Sequence, residues 1–150
     1  MTEIIRIPDI EKYTQEIING ELILTPKENY ITEDEFNIIL LNSSKITECI
    51  VKNREKIISN KRKYTTILRD IWKSMPIQKI LQTTNFNMKL TKEDGKNGYI
   101  WCQELKLSIQ NKDSKYTMKE ILNMVKVNNY SIKISIILET GQIINYKFNL

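Results

Sequence analysis

The sequence predicts a single α+β domain over residues 1–150, with one long basic amphipathic helix and shorter helices packed on a small antiparallel sheet that includes a C-terminal β-hairpin. Three observations carry that expectation. Apolar residues recur at helical spacing between Ser44 and Pro76, they alternate with polar ones across 131–148, and no Gly/Ser- or Pro-rich linker divides a chain whose length suits one domain.

In chain order, Pro8-Asp9 opens a short helical pattern that closes at Asn19-Gly20, proline suiting a first turn and glycine a left-handed C-terminal position. A strand over Glu21 to Thr25 follows. Thr32-Glu33-Asp34-Glu35 and Thr117-Met118-Lys119-Glu120 both read as capping boxes, in which hydroxyl and carboxylate satisfy the free amides of a helix start.

The long helix runs from near Ser44 to Pro76, which bars helical geometry at Met75. At helical pitch Ile46, Ile50, Ile57, Tyr64, Leu68, Ile71 and Met75 fall within an arc of about 60°, giving one apolar seam and a rod of about 45 Å. Two helices broken at Ser59-Asn60 are the alternative. Further on, Phe86, Met88 and Leu90 alternate with polar residues, and turns at Asp94-Gly95 and Asn97-Gly98 lead to a strand at Tyr99-Ile100-Trp101. Ile132, Ile134, Ile136 and Leu138 face the same way as Ile144, Tyr146 and Phe148 if Leu138 lies opposite Ile144 across a three-residue loop or glycine bulge at Thr140-Gly141.

Composition narrows the function more by exclusion than by signature. Isoleucine appears 27 times, and alanine and histidine are absent. A shortage of GC-rich codons marks an AT-rich genome. Without histidine there are no His-based triads or His-bearing zinc sites, and Cys49 and Cys102 are too few for an all-cysteine zinc site. Two distant cysteines suit a reduced, intracellular protein. No signal peptide is expected at Met1-Thr2-Glu3, and the longest unbroken aliphatic run, Ile38 to Leu41, is far short of the ~20 residues of a bilayer span.

The strongest signal is charge. Lys52 to Lys73 holds eight lysines and arginines against Glu55 and Asp70, a net +6 in a chain whose total is +5. On a helix, Arg62, Thr66, Arg69 and Lys73 would recur opposite the apolar seam, with Lys52, Lys56 and Lys63 in a second row. A rigid row of long cations suits a phosphate backbone, because each contact releases counterions. The expectation is therefore a non-enzymatic nucleic-acid-binding protein of little sequence specificity, led by Arg62, Arg69 and Lys73 and supported by Lys52, Lys56 and Lys63. The same face could instead meet an acidic protein surface. No catalytic residue, metal or cofactor is expected, and the oligomeric state is open.

Weaker patterns stand beside it. Trp72, Tyr99 and Trp101 could stack bases, although aromatic residues are more often core. Gly95-Lys96-Asn97-Gly98 spells the four-residue loop of KH domains, but its flanks read as strands where that fold has helices. Asp94 with Glu104-Leu105-Lys106 has the order of a Mg²⁺ nuclease's carboxylates and lysine, a further alternative. Finally, Asp70-Ile71-Trp72-Lys73-Ser74-Met75-Pro76, Asn97-Gly98-Tyr99-Ile100-Trp101 and Thr117 through Lys126 resemble runs in uncharacterised paralogous proteins of mimivirus-type giant DNA viruses. The resemblance carries no functional residue; it implies a large AT-rich viral genome and a host-cytoplasm location.

Overall fold

A computed structural model describes residues 13–26, 29–40, 44–93 and 95–150 of the chain. The described residues form a mixed α+β fold with three antiparallel sheets. Strands β1 (Tyr13–Ile18) and β2 (Glu21–Pro26) form a two-stranded hairpin. Helix α1 (Glu33–Ile39) leads to the β3–β4 hairpin (Lys45–Asn53 and Lys56–Ser59), followed by helices α2 (Tyr64–Lys73) and α3 (Ile77–Thr83). Strands β5 (Met88–Lys89), β6 (Tyr99–Cys102) and β7 (Leu107–Gln110) make a small sheet in the order β5-β7-β6. Helix α4 (Ser114–Val127) precedes the C-terminal strands β8 (Ser131–Ile137) and β9 (Ile143–Phe148), which complete a four-stranded sheet in the order β4-β3-β8-β9.

The single long basic helix does not form. Its first half is the β3–β4 hairpin, and only Tyr64–Lys73 is helical. The apolar seam mixed two faces: Ile46 is buried, Ile50 is half-buried on the opposite face of β3, and Ile57 is 53% exposed. A register shift between Ile46 and Glu48 makes the inward residues Ile46, Cys49 and Val51 fall at spacings of three and then two, which hides the strand's alternation. The turn at Arg54 (φ 55°) takes the left-handed region without a glycine to announce it. Within α2 the seam does hold, rotated slightly: Ile67, Leu68, Ile71 and Trp72 are buried, with Met75 just beyond the end and Pro76 starting α3.

Two further expectations are corrected. The helix expected from Pro8 lies partly outside the described residues, and its described part, from Tyr13, is strand β1. Asn19 (φ 52°) and Gly20 (φ 80°) both occupy the left-handed region and close a two-residue hairpin with Ile18 opposite Glu21, instead of ending a helix. Residues 16–22 are all exposed, Ile17 at 74% and Leu22 at 56%, although they face each other across the ladder. Helix α4 begins at Ser114, capped by Asp113, whose side chain accepts the Tyr116 N–H at 2.8 Å. Thr117 is one turn inside, its hydroxyl donating to the Asp113 carbonyl at 2.8 Å.

Other elements match. Strand β2 and the Thr32–Glu35 capping box are present. In the last hairpin Ile132, Ile134 and Ile136 face Phe148, Tyr146 and Ile144. Leu138 exchanges backbone bonds with Gln142 and Gly141 at 2.9 Å each, so a three-residue loop closes it, with Gly141 at φ 85°. The register is two residues tighter than expected, and a shift of two keeps every side chain on its face. Of the expected 86–90 strand only Met88–Lys89 pairs; Phe86 is buried and Leu90 is 68% exposed.

One buried cluster joins these elements. The inner face of the large sheet supplies Val51, Ile132, Ile134 and Ile136, α2 and α4 pack together over Leu68, Ile71, Met118 and Ile121, and β7 adds Leu107 and Ile109. Phe36 of α1 stacks on Tyr146 at 5.1 Å. Among the described residues no helix is long and apolar enough to cross a membrane.

Candidate functional site

The start of α2 is where cations converge. Arg62 and Lys63 sit on the two residues before the helix, and the Tyr64 hydroxyl donates to the Ser44 carbonyl at 3.0 Å, tying that start to the beginning of β3. Burial raises the Tyr64 phenol above its usual value. Lys45, Arg62, Lys63 and Thr65 line an open cleft of about 550 Å³ that reaches Ser114 at the start of α4. No side chain caps α2, so its first amides carry their partial positive charge toward this side.

Thr65 also lines a second, much tighter cleft of about 30 Å³ between α2, the small sheet and the start of α4. Arg69 and Lys112 line it, and its wall includes Trp72, Phe86 and Ile109. Trp72 is 2% exposed, and its indole Nε1 is buried without a hydrogen-bond partner among the described residues. Phe86 is fixed from two directions. Its ring meets Trp72 edge-on at 5.3 Å, and its amide donates to the Thr84 hydroxyl at 3.0 Å. That hydroxyl in turn donates to the carboxylate of Glu120, which is 1% exposed and also accepts the Asn85 N–H and the Asn123 side-chain amide at 3.0 Å each. Glu120, first read as part of a capping box, is thus the buried anchor of the segment that walls the tight cleft.

Among the described residues no carboxylate lines either cleft. Asp113, beside Lys112, turns its carboxylate to the Tyr116 amide as the cap of α4. Arg69 makes no ion pair among the described residues.

Of the six expected binding residues, Arg62, Lys63 and Arg69 therefore share this surface. Lys73, one turn beyond Arg69, is ion-paired with Glu104, whose hydrogen bond raises the lysine above its usual value. Lys52 lies on β3 between the inward residue Val51 and the turn, lining a separate cleft with Ile50 and Lys133 on the outer face of the sheet. Lys56 is exposed at the start of β4. The row of cations expected along a single rod is thus divided between two faces of the molecule. Lys45 and Lys112 were missed; Lys112-Asp113-Ser114 as a helix start was the signal that could have placed the second of them.

The weaker patterns also have positions. Tyr99 is half-buried with the Lys89 ammonium 4.6 Å from its ring centre, and the half-buried Trp101 donates its indole N–H to Gln103 at 2.8 Å. The Gly95–Gly98 loop is a short 3₁₀ turn leading into β6, not a link between α-helices. Glu104 of the nuclease-like pattern is the partner of Lys73, and Asp94 lies outside the described residues. Among the described residues no group of three or more acidic or cysteine side chains could hold a metal ion. The chain matches no protein-family model, no curated protein and no solved structure.

Proposed function

We propose that this protein binds nucleic acid, without chemistry on it and with little sequence specificity, by gripping the phosphate backbone at the groove where α2 and α4 begin. The observation that carries this reading is the set Lys45, Arg62, Lys63, Arg69 and Lys112 along two clefts that share Thr65 and, among the described residues, contain no acid. Long cations that converge on a concave surface, beside an uncapped helix start, neutralise successive phosphates better than the same charges on a convex face. Base-edge readout would need side chains set into a groove of the nucleic acid; the flexible lysines here suit backbone contact.

Fluorescence anisotropy with labelled duplex and single-stranded oligonucleotides across a salt series tests it. Five phosphate contacts predict a slope of log affinity against log salt of about −4.5 for duplex and about −3.5 for single strand. Replacing Arg62, Lys63 and Arg69 together by alanine flattens the duplex slope by about 2.7. Weak binding that ignores salt, or a triple variant that matches the parent protein, overturns the proposal and favours an acidic protein partner.

A further inference from the structure

We infer that the tight cleft beside Arg69 takes a terminal phosphate monoester, so that the protein prefers nucleic-acid ends that carry one. The inference rests on the nucleic-acid reading above and adds to it a chemical group and a place.

Three properties of the cleft point to that group. The first is polarity. The guanidinium of Arg69 and the ammonium of Lys112 can only donate, so their partner in the cleft is an acceptor. The second is size. A water-sized group needs roughly 10–15 Å³, so a cleft of about 30 Å³ admits two or three oxygen atoms and excludes a base or a sugar. The third is charge. Arg69 and Lys112 bring two positive charges, and among the described residues no lining side chain is acidic. A monoester carries about −1.5 to −2 at neutral pH and answers both cations. An internal diester carries a single charge and must lead a chain away on both sides, which suits the wider cleft at Arg62 and Lys63 instead.

The ligand's path follows from Thr65, which borders both clefts. A strand lying along Lys45, Arg62 and Lys63 would bring its end to Arg69. The walls hold their shape in advance, since Phe86 is pinned through Thr84 to the buried Glu120.

The test compares one oligonucleotide sequence with a 5′-phosphate, a 3′-phosphate or hydroxyl at both ends, with inorganic phosphate as a further probe. One phosphorylated form is expected to bind about tenfold or more tightly than the hydroxyl form, the scale of a charge-assisted hydrogen bond. The ratio between the two forms is expected to collapse in Lys112→Gln and in Arg69→Gln. The chain has two tryptophans, so a ¹H–¹⁵N spectrum carries its own control. The Trp72 indole signal should move when the phosphorylated end binds, and that of Trp101, already bonded to Gln103, should stay. Equal affinity for all three ends with a stationary Trp72 signal overturns the inference and leaves backbone binding standing. If inorganic phosphate moves Trp72 while no oligonucleotide binds, the cleft is an oxyanion site of another kind, and both proposals fall.

Discussion

Cys49 sits at 2% exposure on the inner face of the large sheet, and its thiol is pushed up from 9.0 to about 12, first by burial and second by the neighbouring Glu48 carboxylate. The unfolded chain releases that proton near pH 9 and the folded chain holds it to about 12, so over this window the unfolded state binds fewer protons. Stability therefore falls as pH rises, by about 1.4 kcal/mol per pH unit from this group. The Tyr64 and Tyr146 phenols, also raised by burial, add to the same alkaline trend. Urea unfolding followed near pH 7 and near pH 10 should register the loss, and Cys49→Ala should remove much of the slope; an unchanged slope in that variant contradicts the assignment. Single residues also explain what the sequence concealed. Asn19-Gly20 is the commonest signature of a tight hairpin, but glycine after asparagine also ends helices, and the proline upstream tipped the reading the wrong way. Arg54 turns a hairpin with no glycine at all.

At the scale of elements, long-range partners decided what local pattern could not. The capped start of α1, the stop at Pro76 and the C-terminal hairpin were legible because their causes lie within a few residues. Strand β3 was not, because its identity depends on β8, 79 to 92 positions away, with which it shares the ladder from Lys45–Ile137 to Lys52–Ser131. The link between α3 and β5 likewise depends on Glu120 from α4. Glu120→Ala would leave the Thr84 hydroxyl, the Asn85 amide and the Asn123 side chain without their acceptor, at a cost on the order of 2–5 kcal/mol. Glu120→Gln, which keeps one acceptor oxygen, should cost less. The midpoints of urea unfolding rank the two, and equal small shifts would contradict the role given to this carboxylate.

At the scale of the whole molecule, the fold sorts a basic sequence segment onto two sides of one sheet. The total charge of that segment was plain from composition; its division was hidden until the chain folded back at Arg54. Charges separated by more than about 8–10 Å at physiological salt hardly cooperate, so Lys52 on the outer face contributes little to a ligand held at the start of α2. A Lys52→Ala variant is expected to keep the salt slope of the parent protein in the anisotropy series, whereas the Arg62/Lys63/Arg69 variant loses it. A loss of equal size in both would mean that the ligand wraps the β3–β4 hairpin as well.

The β1–β2 arm has a thermal consequence of its own. With Ile17 and Leu22 still wetted after they pair, closing the tip of the arm sheds little water, and the rungs there must offset the ordering entropy almost unaided. On warming, that tip frays before the buried cluster gives way.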